Sequence, residues 1–493
     1  MSQQDRTSDI VINHQVIKQV GDWLVTRSVF AGMKVRRGAT WKPRLLAMAA
    51  LLWALGDEVN LTDRFLLARK VVAKIFRWLL PPGTSYQGFT KMLRKWHVQL
   101  QGAIIPHLRD KMKKIFPNEG EIGGYQVFAG DGSRIELSRT QSLETAFSPP
   151  AKSPPKKKKG GGKAPKKKTK KNSKRRNTAP KAAKKRSSTS QSSESVRKKA
   201  NSPQMWLTLL WHVGSGLPWA WRSGPSDSSE RGHLQEMLGE LPENSLITAD
   251  AGFVGYDFWD SILTAGQHFL IRVGANVKLL KDLGCARQHA YTVYLWPDGV
   301  ANKKQDPLVL RLIVVHNGKH PVYLVTDLTK SQLSDRQAGQ IYAARWGIEL
   351  FFRTFKQTFG RRKLRGRCAK NAPLELDWSL LGLWCVCLLG ARELSQSGQD
   401  PTRLSPAAAI SAVQSTLRDW RVRPETAAEL LWSQLKKALL DDYQRTSSKT
   451  SRNYPRKKKR EPIGTPQITK ASKQQILAAK KLKTQKHEIR FAA

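Results

Sequence analysis

The amino-acid sequence predicts an α/β protein: a mixed sheet with helices on its faces and a helical region at each end of the chain. The main observation is the order of the elements. From Tyr125 onward the patterns read three strands, helix, strand, helix and strand. Such late alternation of strands and helices implies a mixed sheet covered by helices. Residues 10–118 and 374–440 carry helical patterns instead.

The strands are predicted from apolar or alternating runs that end at turn residues. The first is YQVFAGDGSRIEL, and the next two, MWLTLLWHV and LPWAWRS, are joined by a Gly-Ser-Gly turn. Ser229 and Glu230 then open a helix that runs through Leu241, and the strand SLITAD follows it. A helix over 256–265 leads into the strand HFLIRV.

A β-rich segment follows over 276–328, with the runs AYTVYLW, LVLRLIVVH and HPVYLVTDL between Pro-Asp-Gly and Asn-Gly-Lys turns. His316 and His320 flank the second turn, so we assign them to that turn and not to a metal site. We expect six parts along the chain. Residues 1–118 form an N-terminal helical region that either binds DNA or only packs, and residues 119–274 form the first part of the core with a disordered lysine-rich insert at 151–200. The β-rich insertion (275–328), the helix that completes the core (329–373), a C-terminal helical region (374–445) and a disordered basic tail (446–493) follow.

The formal net charge of +48 over 493 residues indicates a polyanionic partner, and nucleic acid is the first candidate. An anionic membrane surface or an acidic protein would also attract such a chain. Residues 151–200 hold 21 Lys or Arg against one acid, and the tail from Arg445 holds 15 more bases. Both segments are too poor in apolar residues to fold alone. We favour sequence-independent binding of phosphates over a role as a mere solvated linker and tail.

The apolar runs do not predict a membrane protein. Leu45–Leu55 and Trp378–Ala391 have 11 and 14 residues, fewer than the ~20 that a spanning helix needs, and the N-terminus is polar. The four cysteines show no C-x-x-C spacing, which argues against a disulfide framework or a structural zinc site and fits a reducing compartment. We therefore expect a soluble protein.

The segment YAARWGIELFFRTFK holds the clearest functional pattern. On one α-helix, Tyr342, Arg345, Glu349, Phe352 and Lys356 form a stripe at offsets 0, 3, 7, 10 and 14. An apolar stripe lies beside it: Ile341, Ala344, Ile348, Phe351 and Phe355. Arg345 and Glu349 could be a routine surface pair. The flanking aromatic residues indicate instead the edge of a cleft, which makes Glu349 a candidate for catalysis.

Two aspartates end strand-like runs among small residues. Asp131 lies in AGDGS and Asp250 in TADAG, and each sequence alone is typical of a turn. Neighbouring strands are ~4.8 Å apart, so acids on adjacent strands can share one site. Together with Glu349 they form a carboxylate set suited to Mg²⁺. We predict that all three residues bind metal and act in two-metal phosphoryl transfer.

The cations of the stripe complete this prediction. Arg345 and Lys356 would hold phosphates, and Tyr342 would donate a hydrogen bond to one. All three are therefore predicted DNA-binding residues.

The spacing Y-x₂-R-x₃-E-x₆-K over 342–356 resembles the Y-R-E-K signature of bacterial insertion-sequence transposases of the DDE type, the insertion-sequence-four-like group. DGS at Asp131 and ADAGF at Asp250 resemble the first and second acids of that family. The resemblance covers roughly residues 120–147 and 203–365. It implies an RNase H-like catalytic core with a β-rich insertion between the second and third acids.

The resemblance also implies the reaction and its partners. A mobile element would be cut at its ends, with or without a hairpin intermediate, and joined to target DNA, using two Mg²⁺ ions that Mn²⁺ can replace. Partners would be end and target DNA and at least a second copy of the chain, in the cytoplasm at the nucleoid. Family members stack a flipped base on a tryptophan of the insertion, but we assign Trp296 to packing. The insert 151–200 departs from the family, which has a short hairpin there.

Two other functions remain open from sequence. The chain could be a catalytically inactive, transposase-derived DNA-binding protein, although the presence of all three acids weighs against this. It could also be another RNase H-like nuclease or resolvase, against which the Y-R-E-K spacing argues.

Overall fold

The structure is a computed structural model, and it describes residues 21–76, 82–116, 121–148, 202–285, 291–317, 320–422, 440 and 463–485. The lysine-rich insert predicted over 151–200 lies outside these residues. The described strands are β1 (Glu121–Ile122), β2 (Tyr125–Glu136), β3 (Gln204–His212), β4 (Leu217–Gly224), β5 (Ser245–Ala249), β6 (His268–Val273), β7 (Lys278–Lys281), β8 (Thr292–Leu295), β9 (Leu308–Asn317), β10 (His320–Thr326) and β11 (Gln467–Lys470).

The described α-helices are α1 (Pro43–Leu55), α2 (Leu61–Ile75), α3 (Tyr86–Ile115), α4 (Gln141–Phe147), α5 (Glu230–Met237), α6 (Tyr256–Thr264), α7 (Asp298–Asn302), α8 (Asp335–Ala344), α9 (Gly347–Arg353), α10 (Ala372–Gln396), α11 (Pro406–Val422) and α12 (Lys473–Gln485). Short 3₁₀ turns form at Ser28–Phe30, Leu238–Glu240, Ala251–Phe253 and Pro401–Arg403, and a π-helical turn forms at Thr354–Thr358.

One mixed sheet organises the chain, in the order β11-β7-β8-β9-β10-β6-β5-β2-β3-β4, with β1 beside β2. β2, β3 and β4 are antiparallel neighbours, whereas β5 runs parallel to β2 and β6 parallel to β5. Three antiparallel strands followed by two parallel ones, with crossover helices between them, form the predicted RNase H-like core. The α/β prediction is therefore confirmed.

The β-rich insertion extends the core sheet and does not form a separate layer. β10 pairs antiparallel with β6, and β9, β8 and β7 follow outward in turn. Trp296, just after β8, is 3% exposed, and its indole N–H donates to the Gln305 carbonyl at 2.8 Å. Its predicted packing role is confirmed.

Helices cover the sheet through close apolar contacts. Trp259 of α6 stacks on Phe269 of β6 with ring centroids 5.1 Å apart. Leu234 of α5 is fully buried over β2, where a Cβ at Gly130 would lie 2.5 Å from the Leu234 Cδ1. Gly130 thus allows α5 to approach the strand, and the start of α5 is fixed beside Asp131.

The N-terminal helices pack around an aromatic cluster. Trp41, Trp53, Phe65 and Phe89 are buried, and the rings of Phe65 and Phe89 stack with centroids 4.9 Å apart. Burying each such side chain stabilises the fold by ~1.5–3 kcal/mol. This cluster holds α1, α2 and α3 together.

Pro106 does not break α3, although a proline within a helical pattern is expected to end or kink the helix. α3 runs from Tyr86 to Ile115 through Pro106. A proline inside a helix removes a hydrogen bond and costs ~3 kcal/mol. Ile104 and Leu108, one on each side of it, are buried, and their burial outweighs that cost.

α10 is the central helix of the helical region and packs against α1, α3, α11 and β4. Its Asp377 accepts hydrogen bonds from the Trp221 indole N–H at 2.8 Å and from the His97 Nε2 at 2.9 Å. Among the helices that the structure describes, α10 alone is long and apolar enough to cross a membrane, and its most apolar stretch is entirely buried inside the protein.

Arg361 connects the core to the N-terminal helices. Its guanidinium is 2% exposed and donates to the carbonyl oxygens of Ala54 and Gly56, the latter at 2.8 Å. A further hydrogen bond reaches the Ser379 Oγ at 3.2 Å. Burial lowers the pKa of Arg361 to about 9, so the side chain remains a cation at neutral pH.

The prediction that 446–493 is wholly a disordered tail is wrong for 463–485. β11 pairs in parallel with β7, and the Gly464 carbonyl accepts the Ala275 N–H at 3.0 Å. The side chains of β11 are exposed. Backbone hydrogen bonds to the open edge of the sheet hold this segment. The prediction rested on the low content of apolar residues, which says nothing about backbone hydrogen bonds.

Candidate active site

Two of the predicted acids lie on neighbouring parallel strands. Asp131 is within β2, and Asp250 directly follows β5. The register pairs Gly130 with Ala249, so the two aspartates occupy matching positions on strands ~4.8 Å apart. The fold therefore meets the condition set by the sequence, that the two aspartates lie on adjacent strands.

Backbone N–H groups orient both carboxylates. The Asp131 Oδ1 accepts the Gly132 N–H at 2.9 Å, and the Asp250 Oδ1 accepts the Gly252 N–H at 2.8 Å. Asp250 thereby caps the 3₁₀ turn Ala251–Phe253. The carbonyl of Ala251 accepts a further bond from the Asn276 Nδ2 at 2.7 Å, which ties this turn to the start of the insertion.

The third predicted acid lies on a helix that is not continuous, so the expectation of one α-helix over 342–356 is wrong. α8 ends at Ala344, α9 spans Gly347–Arg353, and a π-helical turn follows. At the break, Gly347 faces Trp211 of β3, where an added Cβ would lie 2.0 Å from the Trp211 Cη2. The helix is interrupted where it packs closely against the sheet. The π-helical turn that follows α9 is of a kind that is frequent at functional sites.

The apolar stripe of this segment is confirmed, because Ile341, Ile348 and Phe355 are fully buried. The polar stripe is not a plain surface pair. Arg345 is only 7% exposed, donates to the Glu349 Oε1 at 3.2 Å, and lies over the Tyr342 ring at 5.4 Å from its centroid. The predicted residues Tyr342, Arg345 and Glu349 therefore form one cluster.

The Arg345 guanidinium has spare donor capacity. Its buried Nε has no hydrogen-bond partner among the residues that the structure describes. A buried N–H group without a partner costs about 1–3 kcal/mol. An anion with acceptor oxygens that reached this N–H group would remove that cost.

Lys356 connects the π-helical turn to the strand of the first acid. Its Nζ donates to the Ser133 Oγ at 2.6 Å, two residues after Asp131. Burial and the charge of Arg362 lower the pKa of Lys356, whereas the charges of Glu136 and Asp131 raise it. The predicted DNA-binding lysine thus lies beside the aspartates.

The acids act on one another electrostatically. The pKa of Asp131 is raised to about 6, mainly by burial and also by the charges of Asp250 and Glu349, while the Gly132 N–H and Arg345 oppose the rise. The ionisation of Asp131 is therefore sensitive to both acids. The strand register sets Asp250 beside Asp131, whereas Glu349 is held by Arg345.

Sequence reasoning missed Glu230. It was treated only as the start of a helix, but its pKa is raised to about 7, first by burial and then by the charges of Asp131 and Asp250. The available signal was its place at the start of the helix that follows β4, next to the strand of Asp131. An acid in the first turn of a helix interacts favourably with the helix dipole. That role was enough to explain Glu230, so no feature of the sequence placed it near the aspartates.

The donor chemistry fits a hard divalent cation, because the grouped side chains are carboxylates that repel one another. As placed, no three His, Cys, Asp or Glu side chains in the described ranges stand close enough to hold one metal ion. Glu349 is engaged with Arg345.

Comparison with known proteins gives three findings. The family described as Transposase DDE domain matches residues 123–383. Transposase InsG for insertion sequence element IS4, from Escherichia coli (strain K12), is 26% identical over 189 residues, which are 36% of this chain and 42% of that protein. The chain thus matches less than half the length of this relative.

Among solved structures, a cryo-EM structure of the piggyBac transposase synaptic complex with hairpin DNA is similar, with a TM-score of 0.36 and 11% identity over 88% of this chain and 87% of that chain. A likeness at this TM-score carries no weight for the fold, which rests on the strand order.

Proposed function

The chain belongs to the family of transposases with a DDE domain, whose match covers more than half of its residues, and from this premise we propose that it is a DNA transposase. It cleaves DNA at the ends of a mobile element and transfers the cut strand into target DNA. Within the family, the Y-R-E-K spacing assigns it to the insertion-sequence-four-like group. The single observation that carries the proposal is the parallel register that sets Asp131 beside Asp250.

Asp131, Asp250 and Glu349 would hold two Mg²⁺ ions, which Mn²⁺ could replace. The chemistry supplied there would be activation of a water or 3′-hydroxyl nucleophile and stabilisation of the leaving oxygen. The raised pKa of Asp131, about 6, means that this carboxyl is half protonated near that pH. Metal binding and cleavage therefore increase as the pH rises through about 6.

Arg345, Lys356 and Tyr342 hold the DNA backbone at the cleaved end. The planar guanidinium of Arg345 offers paired N–H donors to phosphate oxygens, and its unpartnered Nε is available for this. Lys356 adds a point charge next to the strand of Asp131. Arg345 contacts Glu349 and Lys356 contacts Ser133 on the strand of Asp131, so a phosphate bound to both cations would face the proposed metal site.

The remaining charge binds DNA without sequence preference. We assign phosphate contacts to residues 151–200 and to the basic tail 446–493, and a DNA-binding or packing role to the helical region 1–118. The protein works as at least a dimer, since two element ends are joined in one reaction, and acts in the cytoplasm at the nucleoid.

The test uses the full chain and the DNA that flanks its coding region. We expect nicking at short terminal repeats and joining of the cut ends to a plasmid in Mg²⁺ or Mn²⁺. A folded protein that binds these fragments but cuts none of them with either ion would overturn the proposal. A second candidate is an inactive, transposase-derived DNA-binding protein. The Arg345–Glu349 ion pair favours it, because the pair engages the third acid. Binding of the fragments without cleavage would support this second candidate.

A further inference from the structure

Residues 463–471, which we call the docked segment, pair with the first residues of the β-rich insertion. The Gly464 carbonyl accepts the Ala275 N–H at 3.0 Å, and the Val277 carbonyl accepts the Gln467 N–H at 3.2 Å. The parallel pairing of β11 with β7 continues this contact. The docked segment therefore fixes the backbone at the point where the chain leaves β6 and enters the insertion.

A glycine at the end of β6 makes this contact possible. A Cβ at Gly274 would lie 2.0 Å from the Ile463 Cγ2 and 2.8 Å from the Gly464 carbonyl oxygen. The side chain of Ile463 could turn aside, but the Gly464 carbonyl belongs to the backbone and is the acceptor of the Ala275 N–H. Any other residue at position 274 would therefore displace the docked segment.

Asn276 connects this backbone to the turn of the second acid. Its Oδ1 accepts the Gly274 N–H at 3.2 Å, and its Nδ2 donates to the Ala251 carbonyl at 2.7 Å. Ala251 is the first residue of the 3₁₀ turn that Asp250 caps. The Asn276 side chain thus bridges the backbone that the docked segment contacts and the turn that orients the Asp250 carboxylate.

An ordinary role in a turn does not explain both bonds of Asn276. The Val277 N–H donates to the Gly274 carbonyl at 3.1 Å, which closes a turn around Asn276. Asparagine is favoured in turns because its side chain bonds to nearby backbone, and this accounts for the bond to Gly274. The bond to Ala251 spans 25 residues of the chain and is not part of that turn.

We propose that Asn276 is a positioning residue for Asp250, and that the docked segment holds Asn276 in the orientation that this requires. The inference rests on the proposed function of Asp250 and adds a residue and a segment that lie outside the acids and cations of the site. Without this connection the turn Ala251–Phe253 opens more often, and the Asp250 carboxylate loses its fixed direction.

Hydrogen–deuterium exchange of the full chain in EDTA tests the connection without metal or DNA. The Gly252 N–H is bonded to the Asp250 Oδ1, and the Phe253 N–H to the Asp250 carbonyl at 3.2 Å. We expect Asn276→Ala to speed the exchange of both amides about tenfold, the size of effect expected when one hydrogen bond is lost. Asn302→Ala, a change of an exposed asparagine in the same insertion, should exchange as the wild type does. Wild-type exchange in Asn276→Ala would overturn the inference.

A second variant excludes a packing artefact. Asn276→Asp keeps the size of the side chain and can still accept the Gly274 N–H, but it cannot donate to the Ala251 carbonyl. We expect the same faster exchange of the Gly252 amide as in Asn276→Ala. Slow, wild-type exchange in Asn276→Asp would show that the bond to Ala251 does not hold the turn.

Gly274→Ala tests the part of the docked segment. It should speed the exchange of the Gln467 amide in β11 and of the Gly252 amide in the turn of Asp250. Its control is Gly299→Ala, whose Cβ would meet no atom within 4 Å. If only the Gln467 amide exchanges faster, the docked segment does not act on Asp250 and that half of the inference is wrong.

Cleavage of DNA separates this inference from the proposed function. Asn276→Ala should lower the cleavage rate at saturating DNA about tenfold, while its affinity for DNA stays within about twofold of the wild type. Weaker affinity with an unchanged cleavage rate would contradict a positioning role. If the wild type cuts no DNA, the proposed function fails, and the exchange rates still decide whether Asn276 holds the turn of Asp250.

Discussion

Asp131→Asn should stabilise the metal-free protein at neutral and higher pH, although it removes a predicted catalytic group. The carboxyl is buried beside two other acids, and its pKa is raised from 3.8 to about 6. A carboxyl with a raised pKa in the folded state destabilises the fold as the pH rises, because the folded state then binds more protons than the unfolded state. The loss begins near pH 3.8 and is complete above about pH 6.

The size of the effect follows from this difference in pKa. Each pKa unit corresponds to 1.36 kcal/mol, so the ionised Asp131 costs about 3 kcal/mol at pH 8 and about half of that at pH 5. Asparagine cannot ionise, and its Oδ1 can still accept the Gly132 N–H. For a protein of this size, about 3 kcal/mol corresponds to a rise in melting temperature on the order of 5 °C.

The assay is calorimetric unfolding in EDTA at pH 5 and pH 8, with the exposed Asp227 changed to Asn as a control. We expect Asp131→Asn to melt several degrees higher than the wild type at pH 8 and to lose about half of this advantage at pH 5. Asp227→Asn should match the wild type at both values. A variant that melts at or below the wild type at pH 8 would refute the reasoning that Asp131 is a buried, repelled charge.

Three further predictions test the framework around the site. Gly347→Ala should lower DNA cleavage at least tenfold, because its Cβ would lie 2.0 Å from the Trp211 Cη2. The control Gly339→Ala, whose Cβ would lie 3.5 Å from its nearest neighbour, should cleave normally. Equal cleavage rates in the two variants would show that α9 tolerates the displacement. Arg361→Ala should lower the free energy of unfolding by about 3 kcal/mol, since it leaves buried carbonyl oxygens unsatisfied, and urea denaturation with no change would contradict this. Deleting 151–200 should flatten the salt dependence of non-specific DNA affinity, and an unchanged slope in filter binding would show that the segment does not touch phosphate.

Local pattern identified the central strands and the candidate acids. Alternating and apolar runs predicted β2 to β6 and β8 to β10, but not β1, β7 or β11. The sequence placed Asp131 and Asp250 at strand ends, whereas the parallel pairing of β2 with β5, which sets them side by side, is a finding of the structure. The buried stripe of Ile341, Ile348 and Phe355 followed from helical periodicity.

Contacts between distant parts of the chain determined what the sequence did not reveal. The break before α9 depends on the approach of Gly347 to Trp211, which lies on another strand. β11 is held by the open edge of β7, and no residue in β11 itself encodes that edge. Glu230 lies beside Gly132 only because α5 packs over β2, a contact that Gly130 permits.

The measurement that tests the central claim most directly compares three single substitutions, Asp131→Ala, Asp250→Ala and Glu349→Ala, in cleavage of DNA carrying the element's own ends. Binding to the same DNA is measured in parallel in Mg²⁺, and Asp227→Ala serves as the control. We predict that each of the three variants binds the ends but does not cut them, while the control does both. Cleavage that persists in all three variants would contradict the assignment of these acids as the catalytic site.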